Sequence, residues 1–204
     1  EGLRVLELPA GENLAAAIAR LEASGRYEYV QRDYVVRPFV TPGDPHFPRQ
    51  WPLANDGSNN GIAAADIKAT AAWDVRTDAS NVIVAVIDSG VRLDHPDLAA
   101  NLWRNSREIP GNGRDDDGNG YIDDVHGINA ITDTGNPSDD SGHGTHVAGI
   151  IGAVGNNGIG ISGVAWRVQI MALKFIRADT GLGLTSDGIE CIDYAIRHGA
   201  HIIN

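Results

Sequence analysis

Residues Val82–Gly90 read VIVAVIDSG, and this stretch decides the fold. Its six leading residues are apolar and mostly β-branched, and they run into a carboxylate, Asp88, and a Ser-Gly turn. In this short run the residues that would point to either face of a strand are all apolar. The pattern predicts a strand buried on both faces, as in a parallel sheet. Open parallel sheets place their chemistry just beyond the carboxyl ends of the strands, where Asp88 lies. On its own, however, an aspartate after a strand is often only a turn or helix cap.

A second stretch, SGHGTHVAGIIG at residues 141–152, favours a chemical role for Asp88. His143 stands between two glycines and opens a run of small and apolar residues that predicts a tightly packed helix. Flanking glycines leave room for the imidazole to approach a carboxylate. Such a carboxylate fixes the tautomer of the ring and stabilises the imidazolium that forms when the ring takes a proton. We therefore predict that Asp88 and His143 form a catalytic pair.

The segments VIVAVIDSGV, LDHPDL and HGTHVAGI together resemble the subtilisin-like serine peptidases, the subtilases, and the thermitase-like members in particular. The chain order Asp, His, Ser is the order found in subtilisin. The resemblance implies an α/β fold: a three-layer subtilisin-like domain with a parallel sheet, incomplete in this chain. It also implies a secreted, extracellular serine endopeptidase with protein or peptide substrates, in which Asp88 orients His143.

The composition excludes some classes of partner. The formal net charge is −11 at pH 7. Nucleic acid is not expected, because phosphate binding needs a basic face. No apolar run approaches the roughly 20 residues that span a bilayer, so no membrane partner is expected. The acidity instead favours divalent cations. Cys191 is the only cysteine, so an internal disulfide is impossible.

Residues 1–40 differ from the rest of the chain and predict a β-α-β piece. Arg4–Leu8 and Tyr27–Val36 have strand-like composition. Between them, apolar residues follow helical spacing at Leu14, Ile18 and Leu21. The piece resembles the second half of the subtilase propeptide, an inhibitory chaperone segment, which would make the enzyme's own propeptide its partner in cis. The alternative is a plain α+β edge of the main domain. Residues 41–204 then form the amino-terminal part of the peptidase domain.

Further elements are predicted within residues 41–204. Thr41–Asn55 is rich in proline and predicts an ordered loop. Ala63–Val75 predicts a helix that leads into the strand at Asp88. Val168–Lys174 predicts a second buried strand, Ser186–His198 predicts an amphipathic helix, and another strand is predicted to begin at residue 201.

The resemblance implies a first calcium site. In the family, the aspartate that matches Asp97 helps to bind a structural calcium ion. The loop VGNNGIGI at residues 154–161 resembles the family's calcium loop, in which an amide oxygen and carbonyl oxygens complete the site. The matching residues are Asn157 for the amide and Ile159 and Ile161 for the carbonyls. The alternative, from the local sequence around Asp97, is an ordinary surface turn at a proline.

A second cation site is predicted between the two catalytic motifs, at GRDDDGNGYIDD, residues 113–124. Its D-x-D-x-N-G pattern puts successive oxygens on one side of a tight loop, and the glycine allows the sharp turn. Crowded aspartates would also repel one another without a cation. The loop is similar to an EF-hand loop but lacks the final bidentate glutamate, and a solvated acidic loop is the alternative. The predicted calcium ligands are Asp115, Asp117, Asn119, Tyr121 through its carbonyl, and Asp123 or Asp124.

The glycine-rich segment Arg177–Thr185 resembles the subtilase segment whose backbone pairs with extended substrate. This places Gly181, Leu182 and Gly183 along the predicted cleft. Strand addition of this kind reads the backbone and leaves specificity to side-chain pockets. An ordinary strand-to-helix loop is the alternative.

A subtilase also needs a nucleophilic serine in a G-T-S-x-A context and an asparagine that stabilises the oxyanion, and neither context occurs here. We therefore expect this chain to be the amino-terminal part of the enzyme and, as written, not to hydrolyse peptides. Two other classes remain open. One is a zinc metallohydrolase using His143 and His146, although the sequence lacks the glutamate and spacing of H-E-x-x-H. The other is a non-catalytic calcium-binding or inhibitory relative.

Overall fold

A computed structural model describes residues 4–33, 40–58 and 60–204 of the chain. The chain divides into two compact units, residues 1–38 and 39–204. The helices are α1 (Leu14–Ala23) in the first unit and α2 (Ala69–Trp73), α3 (His143–Gly152) and α4 (Thr185–Arg197) in the second. The strands, all in the second unit, are β1 (Asp78–Asp88), β2 (Gly127–Asn129), β3 (Arg167–Lys174) and β4 (Ile202–Ile203). None of the helices in the described ranges is long and apolar enough to cross a bilayer.

The first unit holds a helix without strands in its described part, residues 4–33. The side-chain oxygen of Asn13 caps α1 by accepting a hydrogen bond from the Ala16 N–H at 3.1 Å. The strand predictions for residues 4–8 and 27–33 are therefore wrong, because strand-like composition gives no strand where no neighbouring strand pairs with its backbone. Residues 34–36 of the second predicted strand lie outside the described residues. The assignment of residues 1–40 to a propeptide stays a prediction.

The second unit is built on a parallel sheet with the strand order β2-β3-β1-β4 in the part of the chain that the structure describes. The central pair, β1 and β3, runs in register from Ile83 opposite Gln169 to Asp88 opposite Lys174. The buried strand predicted from the apolar run Val82–Ile87 is confirmed, although β1 begins earlier, at Asp78. Because all the strands run in one direction, their carboxyl ends share one edge of the sheet, and Asp88 lies there.

Helices cover both faces of this sheet. Alternate residues of β1 point to opposite sides. Val86 belongs to an apolar cluster that includes Ala148 of α3. Its neighbour Ala85 belongs to a second cluster that includes Tyr194 of α4. The predicted three-layer α/β architecture is confirmed, with α3 on the face toward which the even-numbered residues of β1 point.

The prediction of a helix over Ala63–Val75 is wrong for its first half, because α2 begins only at Ala69. Asp66 accepts hydrogen bonds from the backbone N–H groups of Asn55 at 2.8 Å and Lys68 at 2.7 Å. Lys68 has a φ of 59°, which no helical residue adopts. A side chain that bonds the local backbone competes with helix formation, and the spacing of apolar residues does not reveal that competition.

The tight packing of α3 on β3 generates a stability prediction. A Cβ added at Gly152 would lie 2.3 Å from Val168 Cγ1 and 3.1 Å from Ile170 Cδ1. A Cβ added at Gly149 would come no closer than 3.6 Å, to Ile161 Cδ1. Gly152→Ala should therefore lower the free energy of unfolding by about 1–3 kcal/mol through overpacking. Gly149→Ala should raise it by about 0.5–1 kcal/mol, because alanine is the better helix former. Urea unfolding of both variants checks this, and the same sign for both would contradict it.

Candidate active site

The side chains of Asp88 and His143 meet at the carboxyl edge of the sheet. His143 Nδ1 lies 2.7 Å from Asp88 Oδ1 and 2.9 Å from Asp88 Oδ2. The carboxylate is 10% exposed, whereas the imidazole is 67% exposed. Because an ionised carboxylate only accepts hydrogen bonds, Nδ1 carries the proton and donates it. That leaves Nε2 of an accessible ring as the nitrogen that can take a proton from a reacting group.

The charge of Asp88 also tunes this imidazole. The hydrogen bond from Nδ1 and the negative charge of Asp88 raise the pKa of His143 above its ordinary value, and Asp139 adds to the effect. The ring is exposed, so desolvation opposes the rise only in part. Asp88 therefore both orients the ring and makes it a stronger base.

Gly144 allows α3 to approach the end of β1. A Cβ at this position would lie 2.1 Å from the carbonyl oxygen of Gly90 and 3.1 Å from Asp88 Cβ. Any side chain here would push the first turn of α3 away from the strand. Gly142, on the other side of His143, has a φ of 92°, in the left-handed region that favours glycine. Packing and backbone conformation thus account for the two glycines around His143.

Asp139 organises the loop that leads into α3, and sequence reasoning missed it. Its Oδ1 accepts hydrogen bonds at 2.9 Å from Ser89 Oγ and from the backbone N–H groups of Ser141 and Gly142. Its Oδ2 accepts hydrogen bonds from the N–H of Thr145 at 3.0 Å and from the hydroxyl of Thr145 at 2.5 Å. An aspartate shortly before a predicted helix is a start signal, but that rule marks Asp140 and Ser141 as well as Asp139.

Ser89 links the end of β1 to Asp139 in this loop and to Gly144 in the first turn of α3. Its hydroxyl donates to Asp139 and accepts a hydrogen bond from the Gly144 N–H at 2.9 Å. The residue is fully buried. A buried hydroxyl with both roles used is a structural link and not a nucleophile.

The Asp139 network generates a prediction about acid stability. Partial burial opposes ionisation, but the hydrogen bonds from Thr145, Gly142 and Ser141 outweigh it and lower the pKa of Asp139 to about 2. The carboxylate therefore contributes stability above its ordinary pKa of 3.8, and that contribution is lost as the pH falls through about 2. Asp139→Asn should cost about 1 kcal/mol at pH 7, after a discount for solvent exposure.

The cost of Asp139→Asn should shrink as the pH falls from about 5 to about 2. Unfolding of wild type and variant at a series of pH values measures it, with Asp179→Asn, at an exposed aspartate, as the control. A cost that does not change with pH would contradict the account.

Three carboxylates come together at the acidic loop. Glu108, Asp115 and Asp117 each offer an oxygen, and these atoms lie within 4.8 Å of one another. Asp115 and Asp117 were predicted ligands, whereas Glu108 was missed because no local pattern marks it. Glu108 is 7% exposed, and its Oε1 accepts hydrogen bonds from the N–H groups of Asp116 and Asp117. Its Oε2 is buried without a hydrogen-bond partner. A buried, unpaired carboxylate oxygen beside two more carboxylates is what a bound cation would relieve.

Three of the other predicted ligands of this loop, Asn119, Asp123 and Asp124, take part in hydrogen bonds within the chain. The carboxylate of Asp123 accepts hydrogen bonds from the N–H groups of residues 112–113. Asp124 is fully buried. Its carboxylate accepts hydrogen bonds from the side chains of Asn105, Asn119 and Tyr194. Asn119 Oδ1 accepts a hydrogen bond from the Tyr121 N–H. Neither Asp123 nor Asp124 belongs to the three-carboxylate group, and the closing of the shell by one of them stays a prediction.

The loop predicted to hold the first calcium ion folds around Asp97, which is 2% exposed. Asp97 Oδ1 accepts a hydrogen bond from Asn157 Nδ2 at 2.8 Å, and Oδ2 accepts one from the Ile161 N–H at 3.0 Å. The Ile159 N–H donates to Asn157 Oδ1 at 2.8 Å. Asp44, which the sequence did not single out, is also 2% exposed and accepts hydrogen bonds from three successive N–H groups of the same loop. Two buried carboxylates thus converge on one loop.

The predicted substrate segment is a turn between β3 and α4. The Gly181 N–H donates to the Arg177 carbonyl, and the Leu182 carbonyl accepts from the Arg177 N–H, both at 2.9 Å. The Leu182 residue is 69% exposed. The Gly181 N–H and the Leu182 carbonyl are thus already hydrogen-bonded within the turn. The role of Gly181, Leu182 and Gly183 as a substrate edge stays a prediction.

The histidines of α3 do not support a zinc site. The Nδ1 atom of His143 is used by Asp88. Within the described residues, the group of three metal-ligating side chains that comes together is the acidic one, and it holds no histidine. The donor set around His143 and His146 therefore lacks the third protein ligand of a catalytic zinc site.

Comparisons with known proteins identify the family of this chain. The model of the subtilase family matches residues 79–204. The chain is 49% identical over 122 residues to subtilisin-like protease 1 of Plasmodium vivax, a match that covers 59% of this chain and 19% of that protein. It is 31% identical over 193 residues to the thermophilic serine proteinase of Bacillus sp. strain AK1, covering 94% of this chain and 40% of the relative. A cell wall-associated protease of Bacillus subtilis is 34% identical over 163 residues, 79% of this chain and 16% of that protein. The chain thus spans less than half the length of these relatives.

Solved structures show the same fold. The crystal structure of the serine protease of Aeromonas sobria matches with a TM-score of 0.60 and 27% identity, over 88% of this chain and 28% of that one. The complex of an Aeromonas sobria serine protease with the chaperone ORF2 matches with a TM-score of 0.58 and 29% identity, over 80% of this chain and 25% of the solved chain.

Proposed function

This chain belongs to the subtilase family, and we propose that it is the amino-terminal part of a serine endopeptidase to which it supplies the aspartate and the histidine of an Asp-His-Ser triad. The observation that carries the proposal is the bond from His143 Nδ1 to Asp88 at 2.7 Å on an exposed ring. Protein or peptide is the proposed substrate. The relative named as a cell wall-associated protease supports an extracellular location.

The geometry gives each side chain a role in acyl transfer. A serine outside residues 1–204 would attack the peptide carbonyl carbon while its proton passes to His143 Nε2. The imidazolium that forms is stabilised by Asp88, which stays ionised. When the carbon–nitrogen bond breaks, His143 returns the proton to the leaving amine. Water then attacks the acyl-enzyme by the same route.

Substitutions in the full-length gene product test this proposal. Asp88→Asn removes the group that fixes the tautomer and should lower kcat about 10⁴-fold, and His143→Ala should lower it at least as much. Hydrolysis of a chromogenic peptide measures both effects. His146→Ala is the matched control on the same helix, and it should leave kcat within about twofold because His146 is exposed and has no triad role. If His143→Ala and His146→Ala lower kcat equally, and added zinc restores it, the result would favour the metallohydrolase instead.

We propose Ca²⁺ as the cation of the acidic loop. Carboxylate oxygens are the ligands that calcium prefers, and the unpaired Oε2 of Glu108 supports a bound cation. Glu108, Asp115 and Asp117 would hold the ion. A second calcium ion would lie at the loop of Asp97, with Asn157, Ile159 and Ile161. Each ion would contribute stability by binding the folded state alone.

Glu108 makes the calcium proposal testable. Glu108→Gln keeps the shape of the side chain but removes a charged ligand, so the full-length protein should bind one calcium ion fewer and lose part of its calcium-dependent rise in melting temperature. At a thousand times the dissociation constant, that ion would add about 4 kcal/mol. Titration calorimetry counts the ions, and scans with and without a chelator give the shift. Asp116→Asn, in the same loop but outside the three-carboxylate group, is the control. An unchanged ion count in Glu108→Gln would refute the site.

We also propose that residues 1–40 act as the end of a propeptide. A relative of known structure was solved in complex with a chaperone, which supports a folding partner for this class of enzyme. In this chain the partner would be supplied in cis, ahead of the peptidase domain.

A further inference from the structure

Lys174 is a buried charged residue to which the proposed chemistry gives no role. It ends β3 at the carboxyl edge of the sheet, in register with Asp88 on one side and with Asn129 on the other. The residue is 4% exposed. Lysine is almost never fully buried unless its charge is paired and its N–H groups are bonded, so the position calls for a reason.

All three N–H groups of the Lys174 ammonium are used. Nζ lies 2.6 Å from Asp140 Oδ1, 2.7 Å from the carbonyl oxygen of Ser89 and 3.0 Å from that of Ile176. An ammonium has three donors and no acceptor, so these contacts exhaust it. The acceptors come from three separate segments: the residue after Asp88, the loop that leads into α3, and the residue just before the segment predicted to bind substrate.

These contacts use atoms that the Asp139 network does not use. Asp139 holds the loop before α3 through the hydroxyl of Ser89, whereas Lys174 holds it through the next residue, Asp140, and fixes the Ser89 carbonyl as well. The third contact also leads back to the catalytic strand, because the Ile176 N–H donates to the carbonyl oxygen of Asp88 at 3.2 Å. Lys174 is therefore a crosslink between the backbone that carries Asp88 and the loop that leads to His143.

We infer that Lys174 is a positioning residue for the Asp88–His143 pair, acting through Ser89, Asp140 and Ile176 rather than on the substrate. The inference rests on the proposed peptidase function. Displacements of about 1 Å in an active site can cost about 100-fold in rate. Loss of this crosslink should therefore slow the chemistry in molecules that remain folded.

Lys174→Met in the full-length gene product is the first test, because methionine has a similar length and no donors. A fluorophosphonate, which reacts with an activated serine, counts the competent sites, so that kcat is expressed per titrated site. We expect kcat to fall about 10- to 100-fold. The fall in kcat should be the same for a single-residue ester substrate and for an extended peptide substrate. KM for the ester should change less than about twofold, because the ester does not depend on the extended substrate segment. Lys68→Met, at the other and exposed lysine of the chain, is the control and should leave kcat unchanged.

Asp140→Ala is the second variant, and it keeps the test decisive if Lys174→Met yields no titratable sites. The Asp140 side chain is 59% exposed, so its removal leaves no buried gap. We expect a smaller loss in kcat, about 3- to 10-fold, because two of the three Lys174 contacts remain. In the double variant the two losses should not multiply, since Lys174→Met already removes the contact that Asp140→Ala breaks.

The possible results distinguish a failure of this inference from a failure of the proposed function. Wild-type kcat per site in Lys174→Met or in Asp140→Ala would overturn the inference. A loss confined to the extended peptide would also overturn it, because Lys174 would then serve the substrate segment alone. Multiplying losses in the double variant would show that Lys174 does not act through Asp140. If wild type itself neither reacts with the fluorophosphonate nor hydrolyses peptides, it is the proposed function that fails.

Discussion

The contact between Asp88 and His143 is the constraint on which the rest of the structure depends. A carboxylate at the end of a buried strand and an imidazole at the start of a packed helix can meet only if strand and helix approach closely. Gly144 provides that approach, because even one carbon atom would collide with the backbone at Gly90. The parallel sheet in turn places the end of β1 beside the end of β3, whose other neighbour is β2, and loops from distant parts of the chain converge at this edge.

A carboxylate at this buried edge needs polar partners in place of water. The structure supplies them through contacts around the Asp88–His143 pair. Besides His143, the Ser89 N–H donates to Asp88 at 2.6 Å. Around this contact, Asp139 and Lys174 fasten the loop before α3 to the residue that follows Asp88, one through a hydroxyl and the other through a carbonyl. The site is therefore positioned by charged side chains as well as by apolar packing, and low local dielectric strengthens the bonds of the buried Asp88 and Lys174.

Local patterns in the sequence were sufficient to predict the elements that carry Asp88 and His143. The apolar run before Asp88 and the small residues after His143 each follow the period of their element, so β1 and α3 could be predicted. The amphipathic helix predicted over Ser186–His198 is also present as α4, yet two of its apolar residues, Ile189 and Ile196, are 58% and 63% exposed, whereas Ala195 is buried. The buried face holds Tyr194 and its neighbours, and tertiary packing selects it.

What could not be predicted depends on contacts between distant segments. Glu108 joins the acidic loop from outside its motif, and Lys174 looks like one polar residue at the end of an apolar strand. Neither has a local signature, because their partners are supplied by the folded chain. The strands expected near the amino terminus failed for the same reason, since no neighbouring strand pairs with them in residues 4–33.

The most direct test of the central claim is a proton NMR spectrum of the full-length protein, in the region where a hydrogen-bonded imidazole N–H resonates. Our account predicts a strongly downfield signal from His143 Nδ1–H, which persists as Nε2 titrates with a pKa above the ordinary histidine value and disappears in Asp88→Asn. If the signal is absent, or unchanged in Asp88→Asn, then Asp88 does not hold the imidazole and the account of this site is wrong.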